Sequence, residues 1–260
     1  SGFDDLDNLL AGFQPEEMTI LAARPSMGKT AIALNIAEQI AFGGSTPWQP
    51  KPDAKPIAVG VFSLEMARGS LTQRLLSSRS GVDSAKLRSG QVSDSEWQRL
   101  QQACDELAHA PIYIDDTPGM TILTLRAKAR RMKQRYNIGC LVIDYLQLLS
   151  SPGSARESRQ VEVSEISRSI KALARELKVP VICLAQLNRG AEQREGNRPK
   201  MSDLRESGSI EQDADVVALL HREAYYHRGD PAWDPKSVEF DEDNRDKLNL
   251  TELIIAKQRN

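Results

Sequence analysis

Little in this chain is extreme, and the shortages narrow the field. Cysteine is scarce: Cys104, Cys140 and Cys183 are scattered through 260 residues without metal-ligand spacing. Nothing in that usage calls for an oxidising compartment. Cys140 and Cys183 sit in apolar runs and read as packed small hydrophobes. Excess charge is also missing. A net charge of −2 argues against a uniformly basic nucleic-acid binder but leaves room for local basic loops. No apolar run is long enough to span a bilayer, and the N-terminus lacks a signal-peptide pattern, so the cytoplasm is the expected location. What is present suits a soluble protein with a real core: 40% hydrophobic and 27% charged residues. The length fits one large α/β domain or two small ones.

The chain is organised around Thr19 to Thr30, T-I-L-A-A-R-P-S-M-G-K-T. A short apolar run enters a loop, and Gly28-Lys29-Thr30 leads into a helical pattern. Strand, loop and helix N-terminus together form a phosphate cradle, in which backbone N–H groups and the helix dipole hold a polyphosphate. The loop is Ala23, Arg24, Pro25, Ser26, Met27, Gly28, Lys29 and Thr30. Lys29 reaches the β- and γ-phosphates, and the Thr30 hydroxyl holds Mg²⁺. The usual pattern opens with Gly where this chain has Ala23, which is tolerable if φ stays negative there.

Apolar strands recur at Ile57–Leu64, Ile112–Ile114, Leu141–Ile143, Val181–Ala185, Asp215–Leu220 and Leu248–Ala256. Helical patterns lie between most of them. Ser93 and Glu96 form a capping signature for a helix running to about Ala108. Val163, Ile166, Ile170, Leu173, Ala174 and Leu177 mark one face of a long helix. Ile122–Tyr136 is basic, and its Leu125, Ala129 and Met132 stripe favours a solvated charged face over a nucleic-acid contact. Gly43–Pro56, with four prolines, is a surface loop that Trp48 anchors. Leu187–Arg205 and Arg222–Lys247 read as polar loops. The alternation predicts an α/β fold, a mostly parallel central sheet flanked by helices on both faces. No internal repeat or compositional break marks a second domain, so residues 1–260 are expected to form one.

In an open parallel sheet, ligands bind outside the carboxyl ends of the strands. There one strand delivers the phosphate loop, another Ser63-Leu64-Glu65, a third Asp144-Tyr145 and a fourth Gln186. Asp144, after L-V-I, is a Walker B type carboxylate placed to hold Mg²⁺ directly or through water. Many such ATPases follow that Asp with a Glu that orients the attacking water. Here Tyr145 follows, which makes Glu65 the candidate base, although helix starts also favour acids. The Gln186 amide is placed to sense the γ-phosphate, or is a plain loop amide. Lys257 and Arg259 are two apart and share one side of an extended chain. A solvated edge and a pair of arginine-finger elements reaching a neighbouring subunit's γ-phosphate fit this equally.

Taken together, these stretches resemble the C-terminal ATPase domain of the bacterial replicative DNA helicases, the DnaB family. The likeness rests on A-A-R-P-S-M-G-K-T, F-S-L-E-M (Phe62–Met66), L-V-I-D-Y-L-Q-L (Leu141–Leu148), Glu162–Leu177, L-A-Q-L-N-R (Leu184–Arg189), R-E-S-G-S-I-E-Q-D-A-D (Arg205–Asp215) and I-I-A-K-Q-R-N (Ile254–Asn260), in the family's order. The family accepts Ala at the position of Ala23. The resemblance implies a RecA-like P-loop NTPase that works as a homohexamer, with ATP between subunits and single-stranded DNA in the centre. It implies Lys29, Thr30, Asp144 and Glu65 in the roles above, Lys257 and Arg259 acting in trans, and Arg74 helping to position the site. It puts Arg205, Glu206 and Gly208 in a loop that tracks the DNA backbone, which fits sequence-independent movement. Primase and a helicase loader are the family's further partners. The chain opens on S-G-F-D-D-L-D and stops at K-Q-R-N. The family's N-terminal helical domain, linker helix and final strands are therefore expected to lie outside it.

Three functions compete. The first is a motor that couples ATP hydrolysis to 5′-to-3′ movement on single-stranded DNA and to unwinding, with the polarity taken from the resemblance. The second is another RecA-like DNA-dependent ATPase of recombination or repair. The third is a nucleotide-switched scaffold. F-S-L-E-M with R-E-S-G-S-I-E-Q-D-A-D favours the motor, and Glu65 with Arg259 argues against the scaffold.

Overall fold

The computed structural model describes residues 1–151, 158–204 and 208–259. Helix α1 (Asp4–Leu10) precedes β1 (Met18–Ala23), whose six residues are all buried. Helix α2 (Lys29–Ala41) follows the phosphate loop, and β2 (Val59–Ser63) follows the proline-rich segment. Three helices come next: α3 (Arg68–Ser80), α4 (Ser84–Ser89) and α5 (Asp94–His109). Then β3 (Ile112–Asp115), α6 (Ile122–Tyr136), β4 (Cys140–Asp144), α7 (Arg159–Leu177) and β5 (Val181–Gln186) alternate. The described chain closes with α8 (Gly208–Asp213), β6 (Val216–His221), α9 (Glu223–Tyr226) and β7 (Glu252–Gln258).

The seven strands form one sheet in the order β3-β2-β4-β5-β1-β6-β7. Six run parallel, and β7 returns antiparallel to β6. The antiparallel edge departs from simple alternation for a local reason. Residues 222–251 hold only short turns and α9, so no crossover helix carries the chain back to restart in parallel. This is the RecA-like α/β arrangement.

Strand side chains alternate between two cores, as the pleat dictates. Ile20, Ala22, Leu141, Ile143, Cys183 and Ala185 face α6 and α7. Leu21, Cys140, Val142, Ile182 and Leu184 face α2 and α3. The α7 stripe from Val163 to Leu177 lies wholly in the first core. Both strand cysteines are packing residues; burial pushes the Cys140 thiol up to about 12. Ser93 and Glu96 make the reciprocal capping box that starts α5. On α6, Leu125 and Ala129 are buried. Arg126 and Arg130 of α6 pair with Glu176 of α7, and Lys128 with Asp115, so acids of this chain answer much of the basic face.

Trp48 is 60% exposed and touches the end of α3 with one edge of its ring. That edge lies at Gly81, the left-handed residue (φ +65°) that ends α3, where an added Cβ would stand 2.8 Å from the indole. The buried Arg79 guanidinium holds the same loop by donating to the Ser45 carbonyl at 2.9 Å.

Candidate nucleotide site at the carboxyl ends of the strands

Register sets the site. Ser63 of β2 is level with Asp144 of β4, and Ala23 of β1 with Gln186 of β5. Four parallel strands therefore end together at one edge of the sheet. Ala23 is still inside β1, with ordinary strand geometry; the left-handed positions of the loop are Ser26 (φ 63°) and Gly28 (φ 95°). Gly28 caps α2, whose first turn carries no acid, so the positive end of that helix faces the loop unopposed.

Lys29 and Thr30 converge on Asp144. The Thr30 hydroxyl donates to Asp144 Oδ2 at 2.6 Å, and Lys29 Nζ stands 3.8 Å from Oδ1. The Asp144 carboxylate is buried, and its Oδ1 accepts no hydrogen bond among the described residues. A buried carboxylate oxygen without a donor, beside a hydroxyl, is a suitable donor set for Mg²⁺. The Lys29 ammonium also lies 4.1 Å from the centroid of the Tyr145 ring. Burial lowers its pKa below the ordinary lysine value, and the charges of Asp144 and Glu65 pull it back up. Lys29 is thus held in place by acids and an aromatic face.

Glu65 sits on a turn that Ser63 builds. The buried Ser63 hydroxyl donates to the Met66 carbonyl at 2.6 Å and accepts from the Met66 N–H. The Leu64 N–H donates to the Asp144 carbonyl at 2.7 Å, tying this turn to β4. Helix α3 begins beyond it, at Arg68, with no acid in its first turn; the Arg68 N–H is taken by Asp116. Glu65 therefore does not serve as a helix-start acid. It is exposed, and it lines a cavity of about 260 Å³ together with the phosphate loop, Arg74 and Gln186. A larger space of about 970 Å³, between Met27, Gly28, Ile32, Arg222, Leu253 and the start of α1, adjoins the loop on the β6–β7 side.

Sequence reasoning missed the residue that fixes Gln186. The Gln147 side chain, on a turn after β4, donates from Nε2 to the Gln186 carbonyl and accepts the Gln186 N–H on Oε1, both at 3.2 Å. A single glutamine thereby holds the end of β5 three residues beyond the last β4–β5 pair, Ile143 and Cys183. Its place in L-V-I-D-Y-L-Q-L is plain in the sequence, but its partner is 39 residues away and leaves no local signal. In the sequence Tyr145 stands out only as a missing glutamate; in the structure its ring faces Lys29.

Lys257 and Arg259 lie at the other end of the sheet. Lys257 is level with Val217, and the Arg259 N–H donates to the Asp215 carbonyl. The Asp215 N–H in turn donates to the Met18 carbonyl at the start of β1. The two cationic side chains share one side, as the spacing requires. Lys257 Nζ donates to the carbonyls of Glu211 and Ala214, the latter at 2.8 Å, and Arg259 donates to that of Gln212. Both cations cap the carboxyl end of α8. Arg259 stands near the level of Met18, five steps of β1 or roughly 17 Å from the loop; Lys257 is level with Ile20, three steps or roughly 10 Å away, and its ammonium is turned from the loop to the Glu211 and Ala214 carbonyls.

Two expectations for the segment after β5 need correcting. Residues 187–204 are not an open polar loop but a knot of single turns, Arg189–Gln193, Glu195–Asn197 and Met201–Leu204. It closes because Asp203, only 2% exposed, takes Arg194 and the Lys200 N–H on its carboxylate while its carbonyl accepts from Asn188. Gly208 belongs to α8 rather than to a loop, since Ile210 is drawn into the core beneath α7. Arg205 and Glu206 lie outside the described residues.

The family model for the DnaB-like helicase C terminal domain matches residues 1–260. The replicative DNA helicase DnaB of Geobacillus stearothermophilus is 48% identical over 260 residues, which are 100% of this chain and 52% of that protein. That of Rickettsia bellii is 47% identical over 265 residues, 100% and 53% of the two chains. The chain spans about half the length of these curated relatives. Two solved structures superpose with a TM-score of 0.83 at 36% identity over 100% of this chain. One is a DnaB-like replicative helicase described with its interactions with primase, of which 56% is covered; the other is described as an ATPase domain, of which 83% is covered. With its phosphate loop, Asp144 and Glu65 at one end of a RecA-like sheet, the chain belongs to the DnaB-like helicase C-terminal domain family.

Proposed function

We propose that this chain is the motor domain of a replicative DNA helicase that hydrolyses ATP between subunits of a homohexamer. The energy moves it 5′-to-3′ along single-stranded DNA and unwinds duplex. One observation carries the reading: the loop, Glu65, Arg74 and Gln186 line one cavity at one end of the sheet, while the Lys257 and Arg259 side chains are engaged toward the other. A ring or filament that sets one end of a subunit against the other end of the next completes the site. Relatives named as replicative helicases support the motor over a recombination ATPase or a scaffold.

The roles follow from the geometry. Backbone N–H groups from Arg24 to Thr30 and the α2 terminus hold the phosphates, with the nucleoside in the adjoining 970 Å³ space. Lys29 moves from Tyr145 and Asp144 to the β- and γ-oxygens. Thr30 and Asp144 would hold Mg²⁺, which neutralises phosphate charge when bound. Glu65 takes the proton of the attacking water on its carboxylate. Arg74 orients the site from α3, and the Gln186 amide reads the γ-phosphate. Lys257 and Arg259 of the partner subunit meet the charge that develops on the transferred group. Arg205, Glu206 and Gly208 grip the DNA backbone. Primase and a loader are further partners, and the site of action is the cytoplasmic replication fork. The full-length protein should unwind a forked duplex only with ATP and only when the tail allows 5′-to-3′ entry. ATPase activity without unwinding on either fork would leave the recombination reading.

A further inference from the structure

The phosphate loop is tied to the knot after β5 by a contact that the roles above do not use. Arg24 donates from Nε to Glu192 Oε1 at 2.7 Å and from Nη1 to the Leu187 carbonyl at 2.8 Å; its Nη2 stands 2.6 Å from the same Glu192 oxygen. The Leu187 N–H in turn donates to the Ala23 carbonyl at 3.0 Å. Arg24 is mostly covered, with 11% of its side chain exposed, whereas Glu192 is 40% exposed. A largely covered guanidinium held by three contacts is an ordered lever, not a solvated arm.

What lies beyond Glu192 gives the contact its meaning. Glu192 is in the turn Arg189–Gln193, and Arg194 grips the buried Asp203 with both terminal nitrogens. Leu204, also buried, is the last described residue before Gly208 opens α8. A displacement of Arg24 thus passes through Glu192 into a closed knot whose far end, the turn Met201–Leu204, packs against α8. Ion pairs and packed side chains are links of the kind that carry such a shift, and this path consists of side-chain pairs and a packed turn.

We propose that Glu192 is a positioning residue. It sets Arg24, and with it the phosphate loop, and couples phosphate binding there to the turn Met201–Leu204 and the helix α8 packed on it. Resting on the motor reading, this assigns the coupling to one carboxylate that touches neither nucleotide nor DNA.

The test uses the full-length protein. ATPase rates with and without single-stranded DNA are measured for wild type, Glu192→Ala, Glu192→Gln, Arg24→Ala and the double variant. Glu192→Ala should keep its basal kcat within about twofold while its stimulation by DNA falls at least about fivefold, the lower end of usual coupling between sites. Glu192→Gln keeps an acceptor without the charge and should fall between; it also serves if the alanine form folds poorly. The double variant should lose no more stimulation than Arg24→Ala alone, because both remove one link. Unchanged stimulation in both Glu192 forms, or additive losses in the double variant, overturns the proposal. A wild type that hydrolyses ATP without responding to DNA overturns the motor reading and the coupling with it. A responsive wild type with equally responsive Glu192 variants overturns the coupling alone.

Discussion

The two ends of the sheet are built on different plans. At the carboxyl end, polar side chains are left facing open space: Glu65 and Gln186 are exposed, and Asp144 keeps one buried oxygen without a donor among the described residues. At the amino end, charged groups are engaged by the chain's own backbone. Lys257 and Arg259 cap α8, while Asp215 accepts from the Met18 N–H at 2.7 Å and from Lys171 at 2.6 Å. One end leaves polar side chains open, while the other ties its charges into the fold. The exception is the pair of cations, whose partners are main-chain carbonyls. Those contacts can be exchanged for phosphate oxygens without leaving a buried carboxylate unpaired.

The sharpest way to break this comparison is at Arg259. If the amino end serves a neighbour's phosphate, Arg259→Ala should cost on the order of 10³-fold in kcat with folding intact, since a trans arginine carries that much. Mixing Arg259→Ala subunits with Lys29→Ala subunits should restore part of the rate, because some interfaces then carry both wild-type halves. Steady-state ATPase across mixing ratios reads this directly. No recovery at any ratio would falsify the shared interface.

A somewhat smaller loss is expected at the carboxyl end. Glu65→Gln removes the base but keeps the turn that Ser63 makes, so kcat should fall by about 10²- to 10³-fold. ATP binding, followed with a fluorescent analogue, should survive. Unchanged turnover would move the base to another residue.

Asp215 should behave in the opposite way. It is 9% exposed, and its carboxylate serves both the first residue of β1 and Lys171 of α7. Asp215→Asn should lower stability by about 1–3 kcal/mol, the usual cost of weakening a charged hydrogen-bond acceptor in a covered site. Thermal unfolding measures that loss, and kcat at a permissive temperature should stay within about twofold. A large kcat loss with unchanged Tm would show that the amino end is not merely structural at this position.

Most of this division is legible without any coordinates. The phosphate loop, Asp144, Glu65 and Gln186 announce themselves because each follows an apolar strand run, and a parallel sheet brings such ends together. The α7 stripe and the α5 capping box are local patterns, and the structure contains both. Other features leave no local trace. Helix α4 has no buried residue and hence no stripe. The β7 strand begins at Glu252, later than its apolar run suggests, because pairing with β6 sets its bounds. The knot at residues 187–204 depends on Asp203 finding Arg194, a pairing that composition does not reveal. Whether Lys257 and Arg259 face their own loop cannot be read from spacing; it requires the antiparallel turn of the last strand.

Gln147 offers the finest test, since it separates the position of the sensor from its presence. Gln147→Leu fills much of the same space but drops both bonds to the Gln186 main chain, leaving the Gln186 side chain untouched. At about 0.5–1.5 kcal/mol for each neutral hydrogen bond, kcat should fall by roughly tenfold. KM for ATP should change by less than about twofold, because the phosphate loop and α2 terminus, proposed above to hold ATP, are not disturbed. Gln147→Glu should lie closer to wild type at the Gln186 N–H but repel the carbonyl, and so fall lower in rate than a simple loss of one bond implies. Equal kcat in the Leu variant and wild type would mean that β5 alone positions Gln186. A KM effect without a kcat effect would mean that Gln186 contributes to binding ATP rather than to sensing its γ-phosphate in the transition state.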